Sequence, residues 1–178
     1  NESRDNPVKI DVTVLSPDIW YYYYFYALNT NSFICLTKTN PVGDNDSLRI
    51  AVVSGSNYNS GYYNVYRTMA MRNDIDGVFH LGDYIYEYGT GSYGSHSDRD
   101  LLPSYEITTL DDYRMRYSHY RLDPDLRFAH QQYPWYVVYD DHESANNSWV
   151  GGAENHDAGE GNWSDRVSAA KKAFFEWI

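Results

Sequence analysis

The stretch that most constrains the fold runs from Val78 to Gly89 and reads VFHLGDYIYEYG. Its apolar start predicts a short buried strand, with His80 as a hydrogen-bonded core residue. Gly82 then allows a sharp turn at the carboxyl end of that strand. Asp83 follows at once, at the edge of the sheet where open α/β folds bind ligands. The phenolic oxygen of Tyr86 reaches the same place if the chain turns there like the first turn of a helix.

Two other apolar segments extend this strand into an α/β sheet. Residues 48–53 and Val137–Tyr139 lack the alternation of a half-exposed strand, which is typical of strands covered on both faces. A strand, a helix and the next strand in this order predict parallel neighbours with a right-handed crossover. Apolar spacing and capping residues predict helices at 62–72, after Thr109, at 126–130 and after Asn162 or Ser164.

The first 41 residues have a different pattern. Alternation over Val8–Val14, the aromatic run Trp20–Leu28 and then Phe33–Thr39 predict three strands joined by tight turns. We expect residues 1–41 to be the carboxyl-terminal strands of a β-sandwich whose earlier strands lie outside this chain. Residues 42–47 are then a polar linker, and residues 48–178 are the amino-terminal part of an α/β domain.

The composition argues against several classes of protein. The chain has 14 Lys and Arg against 25 Asp and Glu, a formal net charge of −11, and such a field repels polyanions. This disfavours a nucleic-acid scaffold, and an anionic phosphate substrate would require bound cations. The single cysteine, Cys35, excludes an internal disulfide and a thiolate zinc cluster. No run is long enough for a transmembrane segment, and residues 1–5 lack the pattern of a secretory signal.

Polar residues follow all three predicted central strands. Because the carboxyl ends of parallel strands meet at one edge of a sheet, we expect these side chains to share one crevice. Their carboxylate, imidazole, amide and phenolate groups suit Fe(III), Mn, Zn or Ca, and a phenolate suits trivalent iron best. Asp140 and Glu143 are expected to support the ligands through hydrogen bonds. The side chains in question are Ser54, Ser56, Asn57, Asp83, Tyr86, Asp141 and His142.

Three motifs in this order resemble those of a known family. They are VVSxSNYxxGYYNVYR at residues 52–67, HLGDYIYEYG at 80–89 and DDHExANNxWxGGAENH at 140–156. Together they resemble the alkaline phosphatase D (PhoD) family of the calcineurin-like metallophosphoesterase superfamily. The earlier segment PDIWYYYYFYALNTNSF resembles the end of the small fibronectin-III-like β-sandwich that precedes the catalytic domain in that family. The resemblance implies a metallophosphoesterase sheet layered with helices, of which this chain contains the amino-terminal part.

The resemblance also implies a function. It implies a periplasmic or secreted enzyme that scavenges phosphate by hydrolysing small phosphate monoesters, with diesters as a second class. The water that attacks would be activated by iron (Fe3+) and calcium (Ca2+). Asp83 matches the bridging carboxylate, Tyr86 the tyrosine of a GDxxY pattern, and Asp141 a ligand position held by Asn in the wider superfamily. His142 matches the histidine that contacts the phosphate or the leaving group. Candidates for substrate contact or ligand support are Asn57, Asp140, Glu143 and Asn146.

Two departures from the family pattern leave alternatives open. Where the family usually reads SCxN, with Cys as an iron ligand, this chain has Gly55, so that position offers no thiolate. The family's carboxyl-terminal half, which supplies further Asp and His ligands, has no counterpart before Ile178. The first alternative is therefore a catalytically inactive module that binds calcium or a partner. The second is a glycosidase that uses Asp83 and Asp141 as its carboxylate pair.

Overall fold

The structure is a computed structural model that describes Asp5 and residues 7–178. The part of the chain so described mixes strands and helices, which confirms the predicted α/β class. The strands are β1 Trp20–Tyr23, β2 Tyr26–Ala27, β3 Thr30–Asn31, β4 Cys35–Lys38, β5 Ile50–Val53, β6 Gly77–His80 and β7 Trp135–Val137. The helices are α1 Asn64–Ala70, α2 Leu110–Arg121, α3 Pro124–Gln132 and α4 Trp163–Trp177, with a 3-10 helix at Tyr58–Ser60.

Strands β5, β6 and β7 form one parallel sheet in that order. Val53 pairs with His80, and His80 pairs with Val137, so the three strands end side by side. The parallel pairing predicted for the first two strands is confirmed. The third strand, predicted at Val137–Tyr139, instead occupies Trp135–Val137. The sequence from Trp135 to Tyr139 consists of apolar and aromatic residues that all favour strands, so composition alone does not show where this strand begins and ends.

Capping residues mark the starts of the long helices. The hydroxyl of Thr109 accepts a hydrogen bond from the backbone N–H of Asp112, and the Asp112 carboxylate accepts one from the backbone N–H of Thr109, so the predicted cap of α2 is a complete capping box. The Asp123 carboxylate caps α3, which therefore starts earlier than the predicted 126–130. Asn162 precedes α4 as predicted, although its side chain makes no capping bond. No helix in the described part of the chain has both the length and the apolarity needed to cross a membrane.

The core between the sheet and the helices is rich in tyrosine. A phenol can be buried there because its ring packs while its hydroxyl finds a polar partner. The Tyr63 hydroxyl donates to the carbonyl of Ser56 at 2.6 Å, and the Tyr84 hydroxyl lies 2.8 Å from Nε2 of His130. His80 is buried as predicted, with Nε2 at 2.8 Å from the hydroxyl of Ser56. The completely buried tyrosines are Tyr84, Tyr113, Tyr117 and Tyr120.

One face of the parallel sheet is open, contrary to the expectation that both faces are covered. Val52, Phe79 and Tyr136 lie in register across the sheet on this face and are 59%, 41% and 49% exposed. Val78, on the other face, is fully buried against the helices. The described residues therefore supply a helical layer to only one side of the sheet.

The first 41 residues form less regular β-structure than predicted. The predicted strand Val8–Val14 is wrong, because it finds no strand partner in the described residues and its valines are exposed. The aromatic run breaks after Tyr23: β1 pairs antiparallel with β4, and β2 turns back on β3 as a short hairpin. The predicted strand Phe33–Thr39 is confirmed in the shorter form Cys35–Lys38.

Candidate metal centre

The turn after β6 places Asp83 at the carboxyl edge of the sheet. Gly82 has φ +97° and Asp83 has φ +54°, so two consecutive residues adopt left-handed backbone. A methyl group at Gly82 would lie 2.3 Å from Cβ of Asp140, so this turn and the one after β7 touch directly. An aspartate in the left-handed region costs about 1 kcal/mol or more, and such strain is concentrated at functional sites.

The structure brings Asp83, Asp141 and His142 together. One possible ligand atom from each of the three lies within 4.8 Å of the others. Asp83 follows β6, whereas Asp141 and His142 belong to the turn after β7. The expectation that separate strand ends deliver these three side chains to one crevice therefore agrees with the geometry, and their spacing fits a bound cation.

The carboxylate of Asp83 is in an environment that favours a cation. Its Oδ1 is buried and has no hydrogen-bond partner among the described residues, while its Oδ2 accepts from the Tyr86 hydroxyl at 3.3 Å. Burial raises the pKa of Asp83, and the negative charges of Asp141 and Asp140 raise it further, against the lowering effect of His142. A cation beside Oδ1 would supply the missing partner and offset these charges.

Tyr86 reaches the site, but not through a helical turn. Residues 84–88 are irregular, yet the hydroxyl lies near Asp83 and the ring packs 4.2 Å from the imidazole of His142, centroid to centroid. Burial raises the pKa of Tyr86, and the charge and hydrogen bond of Asp83 raise it further. Tyr86 is therefore a neutral donor to Asp83 in the absence of a strongly charged cation, which could convert it to a phenolate ligand.

Glu143 connects the turn after β6 to the turn after β7 through hydrogen bonds. Its buried carboxylate accepts from the backbone N–H groups of Asp83 at 3.1 Å, of Tyr84 at 2.5 Å and of Asp140 at 2.7 Å. Burial raises the pKa of Glu143 to about 7, although the three N–H groups act in the opposite direction. Glu143 therefore contacts both turns and lies outside the cluster of possible ligand atoms.

His142 is buried between aromatic rings and a second carboxylate. Its Nδ1 lies 2.7 Å from Oε2 of Glu87, which is completely buried. Burial lowers the pKa of His142, but the hydrogen bond and charge of Glu87, with the charges of Asp83 and Asp141, outweigh this and raise it above the ordinary value. Sequence reasoning missed Glu87. A signal was available: it is a charged residue inside the aromatic run YIYEYG.

The remaining candidates surround the cluster. Asn57 caps the 3-10 helix through its oxygen and donates through Nδ2 to the carbonyl of Tyr93 at 2.6 Å. The side chain of Asn146 donates to Glu154 at 3.0 Å, so both amides are occupied within the protein. Asp140 accepts from the backbone N–H of Asp141 at 3.0 Å and lies beside Gly82. None of these three belongs to the group whose ligand atoms converge.

A cleft of about 640 Å³ opens beside the cluster. Its lining includes Asp140 and Asp141 from the turn after β7, together with Trp149, Trp163 and Lys171. This volume suits a small organic ligand, and the mixture of aromatic and polar groups is typical of a binding site.

The donor set fits hard cations better than a thiolate-bound iron. Carboxylates, an imidazole and a phenol are suitable for Ca2+ and for Fe3+. A Cβ at Gly55 would lie 3.6 Å from the hydroxyl of Tyr86, so the position at which the resemblance implied a cysteine lies next to Tyr86 but has no side chain. Cys35 lies in β4 of a different sheet and is not among the residues whose possible ligand atoms converge.

Known proteins match this chain in sequence and in fold. The sequence model of the family described as PhoD-like phosphatase matches residues 50–178. The chain is similar to alkaline phosphatase D from Bacillus subtilis (strain 168), with 43% identity over 148 residues that cover 82% of this chain and 25% of the relative. It is also similar to a solved structure of PhoD, with a TM-score of 0.81, 37% identity and coverage of 92% of this chain and 32% of that one. The chain thus spans a quarter to a third of the length of these relatives, and it belongs to the PhoD-like phosphatase family.

Proposed function

We propose that this chain carries part of the active site of a metal-dependent alkaline phosphatase that hydrolyses phosphate monoesters, with diesters as a second substrate class. The observation that carries the proposal is the convergence of possible ligand atoms of Asp83, Asp141 and His142, together with the buried Oδ1 of Asp83, which has no hydrogen-bond partner among the described residues. Membership of the PhoD-like phosphatase family supports the choice of a small phosphate ester as substrate. The net charge of −11 requires that cations make the site attractive to such an anion.

Each site residue has a proposed role. Asp83, Tyr86 and Asp141 hold the cations, and His142 contacts the phosphate or orients the oxygen that leaves. The cleft beside Asp141, which Lys171 also lines, accommodates the organic part of the ester. Supporting residues hold the two turns or contact the substrate: Asn57, Asp140, Glu143 and Asn146.

We further propose Fe3+ and Ca2+ as the cations, which rests on family resemblance and on the hard donor set. Bound cations lower the pKa of a coordinated water and neutralise charge that develops on the phosphoryl oxygens. The chain's own residues have two roles. Asp83 and Asp141 fix where a cation can bind, and the Tyr86 hydroxyl donates a hydrogen bond to Asp83 when no cation competes. Gly55 weakens the case for iron, since the family's thiolate ligand is missing.

The finer architecture and location are also proposals. We assign residues 1–41 to the end of a fibronectin-III-like β-sandwich, 42–47 to a linker and 48–178 to a metallophosphoesterase domain layered with helices. The start of the family match at residue 50 supports this division. Residues 1–4 and 6 of the first unit lie outside the described residues. A periplasmic or secreted location follows from the family resemblance alone.

The test is Asp83→Asn in the full-length protein, with Asp111→Asn as the matched control because the Asp111 side chain is 89% exposed. We expect Asp83→Asn to lose bound metal, measured by elemental analysis, and to lower kcat/KM for p-nitrophenyl phosphate by roughly 100-fold or more. Asp111→Asn should keep both the bound metal and the wild-type kcat/KM. Full activity in Asp83→Asn would overturn the proposal.

The missing side chain at Gly55 favours one second candidate, a catalytically inactive calcium-binding module. Calcium and carboxylates would then stabilise the two turns without any chemistry. Tight Ca2+ binding by the wild-type protein, with no iron and no phosphate release, would support this candidate. Metal-dependent turnover by the wild-type protein would exclude it.

A further inference from the structure

Glu87 is a completely buried carboxylate whose oxygens have different partners. Oε2 faces Nδ1 of His142 at 2.7 Å. Oε1 accepts from the backbone N–H of Asn146 at 2.6 Å and from Nδ2 of Asn155 at 2.8 Å. A buried carboxylate is tolerated when it accepts several hydrogen bonds in this way. Glu87 thus connects the segment after β6 to two parts of the segment after β7.

The partners of Oε1 can only donate. A backbone N–H cannot accept a hydrogen bond. The side-chain NH2 group of Asn155 donates both to Glu87 and to Glu106, the latter at 3.0 Å, so these two carboxylates fix the orientation of the Asn155 amide. Oε1 is therefore committed as an acceptor. A carboxylate accepts through its second oxygen as well, so with Oε2 as acceptor the proton would lie on Nδ1 of His142, and Nε2 would be the ring nitrogen that Glu87 does not engage.

Aromatic packing prevents the imidazole from escaping this arrangement. The ring of Tyr86 lies 4.2 Å from it, centroid to centroid, and the ring of Tyr93 stacks at 6.0 Å with an interplanar angle of 23°. On its edge the ring is held by Glu87. The orientation of His142 is therefore set by Tyr86, Tyr93 and Glu87, and of these Tyr93 and Glu87 have no proposed role as metal ligands.

We propose that Glu87 is a positioning residue that sets the tautomer of His142, so that the neutral ring carries its proton on Nδ1 and presents Nε2 to the site formed with Asp83 and Asp141. This role rests on the proposed function only in that His142 acts at this site. Glu87 would set the tautomer whether Nε2 of His142 contacts a cation or the substrate, and Glu87 itself would contact neither.

The substitution Glu87→Gln separates this role from simple packing. The oxygen of the new amide must face the N–H groups of Asn146 and Asn155, because an NH2 group there would oppose two donors. Its NH2 group then faces Nδ1 of His142, which has to accept. The neutral ring is forced into the opposite tautomer, with the proton on Nε2, while the volume and the fold are kept.

The readout is the nitrogen chemical shift of His142 in the full-length protein labelled with 15N-histidine, at alkaline pH with Ca2+ as the added cation. The signal is assigned by its absence in His142→Gln. We expect the Nδ1–H tautomer in the wild type and the Nε2–H tautomer in Glu87→Gln. The control Glu106→Gln changes a carboxylate on the same Asn155 amide that does not contact His142, and it should leave the tautomer unchanged.

Kinetics provide the second readout. Glu87→Gln should lower kcat/KM for p-nitrophenyl phosphate by roughly 10- to 100-fold, and Glu106→Gln should change it little. An Nε2–H tautomer in the wild type, or an unchanged tautomer in Glu87→Gln, would overturn the inference. The wild-type spectrum decides this even if the variant does not fold. Absence of turnover in the wild type, with the expected tautomer, would count against the proposed function and leave the inference standing.

Discussion

The contact between the two turns of the site can be tested at Gly82. The substitution Gly82→Ala adds a methyl group that would lie 2.3 Å from Cβ of Asp140 and 3.2 Å from its backbone nitrogen. The residue also has φ +97°, which an L-residue adopts with difficulty. Relieving the overlap requires the turns to separate by about 1 Å, because non-bonded carbons normally approach no closer than about 3.5 Å.

Two contributions set the size of the effect. The left-handed backbone costs alanine about 1–2 kcal/mol. Overpacking against a neighbouring backbone costs about 1–3 kcal/mol more. Gly161→Ala is the matched control: Gly161 has φ +87°, but no atom lies within 4 Å of an added Cβ, so only the backbone contribution applies. We expect losses of about 2–5 kcal/mol for Gly82→Ala and about 1–2 kcal/mol for Gly161→Ala.

The assay is urea unfolding of the full-length proteins, combined with a Ca2+ titration of the folded variants. Separation of the turns moves Asp83 away from Asp141, so Gly82→Ala should also weaken Ca2+ binding, whereas Gly161→Ala should not. Equal destabilisation by the two substitutions, together with unchanged Ca2+ binding, would show that the turns do not touch as described.

Two buried polar side chains give further predictions. Burial lowers the pKa of His80 to about 4. Between about pH 6.5 and pH 4, His80 is therefore protonated in the unfolded chain but neutral in the folded protein. Stability should fall by up to about 3 kcal/mol as pH drops through this window, and urea unfolding should show that His80→Gln removes this part of the slope. Arg116 is completely buried and donates to carbonyls on both sides of Glu87. Arg116→Met should cost at least about 3 kcal/mol by leaving carbonyls unpaired, and a loss below about 1 kcal/mol would contradict that reasoning.

Features with a strong local signal were predictable from the sequence. The Thr109 cap, the strand before Gly82 and the parallel pairing of the first two central strands each depend on neighbouring residues or on short apolar runs. The convergence of Asp83 and Asp141 followed from one topological rule, that parallel strands end at the same edge. These predictions needed no knowledge of which distant side chains touch.

Features that depend on partners distant in the chain were not predictable. Alternation over Val8–Val14 is a genuine strand pattern, but a strand also needs a neighbour to complete its hydrogen bonds, and the described residues provide none. The open face of the parallel sheet, with Val52 and Phe79, was mispredicted for the same reason, because an apolar run does not show which distant segment covers it. Glu87 was missed because its partner His142 lies 55 residues further along the chain.

The position of Glu143 explains how the polar run that begins at Asp140, shortly after β7, can serve two purposes. A turn directs successive side chains to different sides, so Asp141 and His142 can face the crevice while Glu143 points back beneath it. There it accepts backbone N–H groups from its own turn and from the turn that carries Asp83. The sheet brings the two strand ends to adjacent positions about 5 Å apart. Strand spacing alone does not fix how the Asp83 and Asp141 carboxylates are placed relative to each other. A buried acceptor shared by both turns supplies this finer control, so the geometry of the candidate centre depends on a residue that does not itself reach it.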